Sequence, residues 1–143
     1  MKCVLATDGT EASLKAATWL AGNLCIDPGS DIYLVYVFPI PSHPEAYSEL
    51  VCLPKYASDE PVKRIAEPIM TRTREALGDL EANIHDIILV GNPAHDIVET
   101  AMMQKADLIV TGNRGLSTRS ELCLGSTSNA VAHLALCPVL IVR

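Results

Sequence analysis

Two short stretches of this 143-residue chain carry residue types suited to holding an anion. Residues 111–129 read TGNRGLSTRSELCLGSTSN, in which Gly112 and Gly115 stand three apart and, after nine more residues, Gly125-Ser126-Thr127-Ser128 follows. Glycine lets a backbone approach a ligand with no Cβ in the way and also permits positive φ. If a helix begins at Ser126, its first amides and the hydroxyls of Ser126, Thr127 and Ser128 could surround phosphate oxygens, helped by the helix dipole. Arg114 and Arg119 favour phosphate, whereas Glu121 opposes it unless a divalent cation intervenes. The competing reading is a glycine-bearing loop with a serine N-cap behind it, and the spacing alone does not choose.

The second stretch is Thr7-Asp8-Gly9-Thr10. The Asp8 carboxylate suits hydrogen bonds from a ribose hydroxyl or a base amine, or a metal ion. Equally, it could cap the helix that follows.

Other chemistries lack their parts. There is no G-x-x-x-x-G-K-[ST], so no P-loop lysine reaches a phosphate, and no G-x-G-x-x-G follows the first strand as in a dinucleotide-binding fold. No G-x-S-x-G elbow is present, and Cys123 has no evident base beside it. His43, His85, His95 and His133 show no metal-ligand spacing. His95 alone falls in a strand-to-helix connection where it could touch a ligand.

These residues need a frame to bring them together. Four apolar, β-rich runs at 2–7, 31–38, 84–90 and 107–111 alternate with helix-like segments, and PVLIV at 138–142 closes the chain. Such alternation predicts a parallel sheet covered on both faces, with strands buried on two sides. The first helix presents Leu14, Ala17, Ala21 and Leu24 and stops before Asp27-Pro28-Gly29. A second begins between Pro61 and Pro68, after an irregular excursion at 39–58, and a third follows the Asn92-Pro93 start signal with Ala94, Ile97, Val98 and Ala101 inward. A fourth spans about 126–136 with Ala130, Val131 and Leu134 inward. The fold class is therefore α/β, one doubly wound domain over 1–143 whose five parallel strands take the order 3-2-1-4-5. That order makes strands 1 and 4 neighbours and brings Thr7-Asp8 and Thr111-Gly112 to the crevice at their carboxyl ends, where open α/β sheets bind ligands.

Composition narrows the partners. A chain 49% apolar and 20% charged is a globular one, and no apolar run nears the roughly 18 residues of a membrane helix. The net charge of −6 and the lack of a basic cluster point away from nucleic acid and anionic membranes. Five scattered cysteines without a CxxC pair read as reduced thiols, and a start that reads as a first strand and not as a secretory signal makes the cytoplasm the expected location.

Taken together, these features resemble the universal stress protein family across essentially the whole chain. The family hallmark G-x2-G-x9-G-[ST] is met by Gly112, Gly115, Gly125 and Ser126, and VLATDGTEAS, GNPAHDIVETA and ALCPVLIVR agree with it. The resemblance implies the five-stranded fold and, with the complete glycine motif, ATP as ligand, with or without Mg²⁺. By motif position it implies Thr7, Asp8 and the backbone near Val37 against adenine and ribose, Thr111, Gly112, Arg114 and Gly115 along ribose and phosphates, and Gly125, Ser126, Thr127 and Ser128 around the phosphate chain. It further implies a homodimer, for which the edge strand PVLIV offers open backbone groups. A nucleotide-binding regulatory protein is the leading reading. A slow ATPase or adenylyl hydrolase, and a nucleotide-free dimeric module, are the alternatives.

Overall fold

In a parallel strand covered on both faces, alternate residues must feed two separate cores. The first strand, β1 (Lys2–Ala6), does so: Cys3 and Leu5 enter one cluster while Val4 and Ala6 enter the other. This computed structural model describes residues 1–24, 26–40, 60–113 and 124–143. After β1 come α1 (Glu11–Asn23), β2 (Asp31–Pro39), α2 (Glu60–Leu77), β3 (Asn83–Gly91), α3 (Pro93–Gln104), β4 (Leu108–Gly112), α4 (Ser126–Leu134) and β5 (Val139–Val142). The sheet order is β3-β2-β1-β4-β5, every pair parallel, as the alternation of elements predicts.

The two cores assign the helices to faces. Ala16, Ala17 and Leu20 of α1 and Ala66, Met70 and Leu77 of α2 pack with Leu5, Ile32 and Leu34 on one side. Ala94, Ile97, Val98 and Ala101 of α3 and Val131 of α4 pack with Val4, Val35 and Ile109 on the other. Leu5, Ile32 and Leu34 have no exposed surface, so each contributes about 1.5–3 kcal/mol of burial.

Several expectations shift in detail. The buried stripe of α1 runs through Ser13, Ala16, Ala17 and Leu20, leaving Leu14, Ala21 and Leu24 half-buried at its margins. Helix α2 begins at Glu60, one residue before the expected window, because Pro61 falls in the first turn where no amide bond is lost. Pro68 lies within the same helix on its exposed side. Helix α4 ends at Leu134 instead of 136, and Leu134 is 53% exposed where an inward position was expected. Strand β3 is not buried on both sides: Asn83, His85 and Asp86 face solvent, since an edge strand has a partner on one side only. Most of the 39–58 excursion lies outside the described residues.

Candidate functional site

Strand β1 ends at Ala6, and the loop that follows is held by its own polar groups. The Thr10 hydroxyl caps α1 by accepting from the Ser13 amide at 3.4 Å, and it donates to Asp8 Oδ1 at 2.6 Å. The Thr10 amide donates to the same Asp8 oxygen at 3.1 Å. Asp8 thus does belong to the start of α1, but indirectly, by orienting the residue that caps it. Gly9 takes φ +74°, a conformation that glycine adopts without strain, and its amide donates to the Thr7 hydroxyl at 3.2 Å.

On the other side of the crevice, β4 ends with Thr111 and Gly112, and α4 starts at Ser126 with Gly125 as its N-cap. Gly125 brings no side-chain acceptor to the first turn, so the serine N-cap considered above does not form. The Gly125 amide instead donates to the Asn113 carbonyl at 2.7 Å, and the Asn113 amide to Val142 at 2.8 Å, tying the start of α4 to the carboxyl ends of β4 and β5. The Ser128 hydroxyl turns back to the Gly125 and Asn113 carbonyls, at 3.0 and 3.3 Å. The Thr111 hydroxyl donates to the Gly112 carbonyl at 3.2 Å.

Between these two rims lies a cavity of about 280 Å³. Thr7, Asp8, Val37, Thr111, Gly112, Ser126, Thr127 and Ser128 all line it, so the topology gathers eight of the eleven residues singled out in the sequence. Gly125 stands directly before them as the helix cap. Arg114 and Gly115, with Arg119, Glu121 and Cys123, lie outside the described residues. The floor is apolar, made by Ala6, Val37, Pro39, Pro93 and Ile97. Tyr36 also lines the cavity, and burial, reinforced by the nearby Asp8 charge, pushes its hydroxyl above the ordinary value of 10.0. It therefore remains a neutral hydrogen-bonding group throughout the physiological range.

One of the glycine expectations needs correction. Gly112 does not use positive φ, which among the described glycines belongs to Gly9, Gly29 and Gly78. A Cβ on Gly112 would lie 2.6 Å from the Ala12 carbonyl carbon and oxygen and 2.9 Å from the Ser13 amide nitrogen. The close approach that requires glycine there is to the backbone of α1, because β4 and α1 pack almost without a gap. Gly125, with φ −61° and ψ 151°, has a backbone that any residue adopts.

His95 does not line the cavity. Its exposed ring sits 3.4 Å from Asp96 and 3.9 Å from Glu99. These three side chains are close enough to share a cation, yet they occupy the first turns of α3, where the helix dipole opposes additional positive charge. Asp96 itself is buried against Gly91, whose missing Cβ leaves room for the carboxylate.

Sequence reasoning missed Ala6, Ser13, Tyr36, Pro39, Pro93 and Ile97 as lining residues. Signals for some were present: Ser13 is one turn past Thr10, and Pro93 opens a helix at the carboxyl end of a strand. What hid them was the extent of the crevice, which reaches across β2 to the start of α3 instead of stopping between β1 and β4.

A profile of the universal stress protein family matches residues 1–143. Universal stress protein MJ0531 of Methanocaldococcus jannaschii is 34% identical over 146 residues, covering 99% of this chain and 81% of its own. Among solved structures, that of protein MJ0577 from the same organism superposes with a TM-score of 0.78 at 26% identity, covering 99% of this chain and 94% of that one. A universal stress protein crystallised in complex with cAMP superposes at 0.59 with 28% identity, covering 100% of this chain and 96% of that one.

Proposed function

The chain belongs to the universal stress protein family, and from that premise we propose that it binds an adenine nucleotide in the crevice between β1 and β4, and that occupancy regulates its contacts as a cytoplasmic stress-response homodimer. The observation that carries the reading is the pairing of two unlike rims over an apolar floor. A carboxylate stands on the Asp8 side, and a helix start with no side-chain cap stands on the other. A cavity of about 280 Å³ is of the size a purine nucleoside fills, close to the lower end of small-molecule sites. The base and sugar would lie over Val37, Pro39 and Ile97, with Asp8 accepting from ribose hydroxyls. The phosphates would meet the first turn of α4, where amides and dipole favour an anion despite the net charge of −6. The cAMP complex of the 28% identical relative supports an adenine nucleotide over other anions.

ATP is the ligand of choice because the glycine-serine motif is complete. Asp8 is the one carboxylate lining the cavity among the described residues, so Mg²⁺ would arrive with the nucleotide and keep most of its own water. No lysine lines the cavity among those residues, and its one carboxylate, Asp8, is engaged by the Thr10 amide and hydroxyl, which favours a binder over an ATPase. Two further observations support the rest of the reading. Edge strand β5 leaves Val139, Leu140 and Ile141 only half-buried, with Leu136 81% exposed beside them, a surface that a second copy would cover. No described helix is long and apolar enough to cross a membrane, and Cys3 and Cys137 are free thiols.

Native mass spectrometry of the purified protein should find a dimer that retains adenine nucleotide. Calorimetry should then give micromolar binding of ATP or AMP, and Asp8→Ala should weaken it by about tenfold or more, the loss of a charge-assisted hydrogen bond. Absence of binding by the unaltered protein at millimolar nucleotide, with and without Mg²⁺, would sink the proposal.

A further inference from the structure

Helix α2 does not line the cavity, yet it grips the β1–α1 loop at two points one helical turn apart. The first is Ile69: a Cβ on Gly9 would stand 2.9 Å from Ile69 Cγ1, so this side chain packs directly on the Gly9 backbone. The second is Thr73, which has no exposed surface and whose hydroxyl lies 2.8 Å from that of Thr7.

The hydroxyls of this buried cluster form one connected network. Each hydroxyl has one hydrogen to donate. That of Thr73 has the Ile69 carbonyl at 2.8 Å, one turn back along the helix, as well as Thr7 within reach, and that of Ser13 goes to the Thr10 carbonyl at 2.9 Å. With Thr73 donating to Ile69, Thr7 supplies the proton between the two threonine hydroxyls; with Thr73 donating to Thr7, Thr7 donates to Ser13 at 3.2 Å, and the 2.8 Å hydrogen bond between Thr7 and Thr73 is kept either way. In either arrangement the Thr7 hydroxyl gives its hydrogen to a protein oxygen, is bonded to α2 and accepts the Gly9 amide, with Asp8 between the two anchored residues.

We infer that Thr73 is a positioning residue for the nucleotide site: from outside the cavity it orients Thr7, through Thr7 the Gly9 turn, and so aims the Asp8 carboxylate. This rests on the nucleotide reading above. It also makes the Thr7 side chain a support for the ligand contact instead of a contact itself. By reciprocity, a nucleotide that orders Asp8 must tighten the same loop on α2, which gives ligand occupancy a route to the outer face of the fold.

The test replaces Thr73 by valine, which keeps the branched shape and removes the oxygen, in the full chain. Two readouts are taken: hydrogen exchange at the Gly9 and Thr10 amides without ligand, and AMP affinity by calorimetry. Thr73→Val should speed Gly9 exchange and weaken AMP binding about fivefold, the worth of one buried hydrogen bond. Thr73→Ser should restore both, and Thr71→Val, at an exposed threonine of the same helix, should change neither. If Thr73→Val does not fold, Thr73→Ala removes the same hydroxyl with the strongest helix former and carries the same expectations. Unchanged Gly9 exchange, or faster exchange with unchanged AMP affinity, overturns the assignment. If the unaltered protein binds no adenine nucleotide, the functional reading falls and the positioning role with it, while exchange still reports separately whether α2 fastens the loop.

Discussion

On the rim formed by residues 7–13, polar groups are satisfied by one another: Thr10 holds Asp8, Thr7 takes the Gly9 amide, and Ser13 turns to Thr10. On the rim formed by α4, the helix starts at a glycine that offers no side-chain acceptor, and Ser126 stands exposed at its first position. One rim is rigid and aimed, whereas the other keeps its dipole directed at the crevice. Under the proposed function, the difference divides the work of recognition. An aimed carboxylate selects a sugar or base by geometry, which costs little ordering when the ligand arrives. An uncapped helix start attracts phosphate with little demand on its exact orientation.

Breaking the rigid rim should have the largest effect. Gly112→Ala would drive a Cβ into the Ala12 and Ser13 backbone, and neither can move without shifting α1. It should cost about 2–3 kcal/mol of stability, in the range of overpacked cores. That corresponds to a fall in Tm of about 5–10 °C for a chain of this size, read by differential scanning calorimetry. A variant as stable as the parent would mean that β4 and α1 are not so closely joined.

The open rim should respond in the opposite sense. Ser126→Asp places a carboxylate in the first turn of α4, where the dipole favours it by about 0.3–1 kcal/mol. The folded protein should be as stable or slightly more so, while ATP binding falls by about tenfold through repulsion of the phosphates. Thermal melts and calorimetry on the same sample separate the two effects. Equal affinity would remove α4 from the phosphate site.

A smaller effect at the other end of the sheet serves as a reference for both rims. There the His85 ring stacks on Tyr33 with centroids 5.0 Å apart, and its Nε2 lies 2.8 Å from Asp31 Oδ1. The His85 hydrogen bond holds the Asp31 carboxyl below its ordinary value of 3.8. A carboxyl whose pKa is lowered by folding adds stability above its unfolded value and loses it as pH falls through the folded one. His85→Ala should therefore raise the Asp31 titration midpoint toward 3.8 in a carbon-13 NMR titration and trim stability above that pH, the difference from the parent vanishing in acid. Nucleotide affinity should not change, and a change there would mean that the two ends of the sheet communicate.

Much of this frame was legible in the chain. Apolar runs alternating with periodic helices imply parallel strands, and Asn92-Pro93 marks the start of α3 to the residue. These signals are local, since each depends on a period or on a cap within a few positions. The strand order followed because few arrangements of five such strands are available. The positions of Thr7, Asp8, Thr111 and Ser126 at one edge followed from that order in turn.

What tertiary structure alone decided involves partners far apart in the chain. Gly112 is glycine because α1, a hundred residues earlier, packs against it. The hydrogen bond between Thr7 and Thr73 joins residues 66 apart, and no pattern in either helix or strand announces it. Pro93 and Ile97 enter the crevice through the packing of α3 on β2. Periodicity determines which face of an element is buried, but the residue it meets depends on how whole elements settle against each other. That distinction separates the glycine-serine pattern readable in GNRG and GSTS from the α2 contacts that hold the Thr7–Gly9 loop.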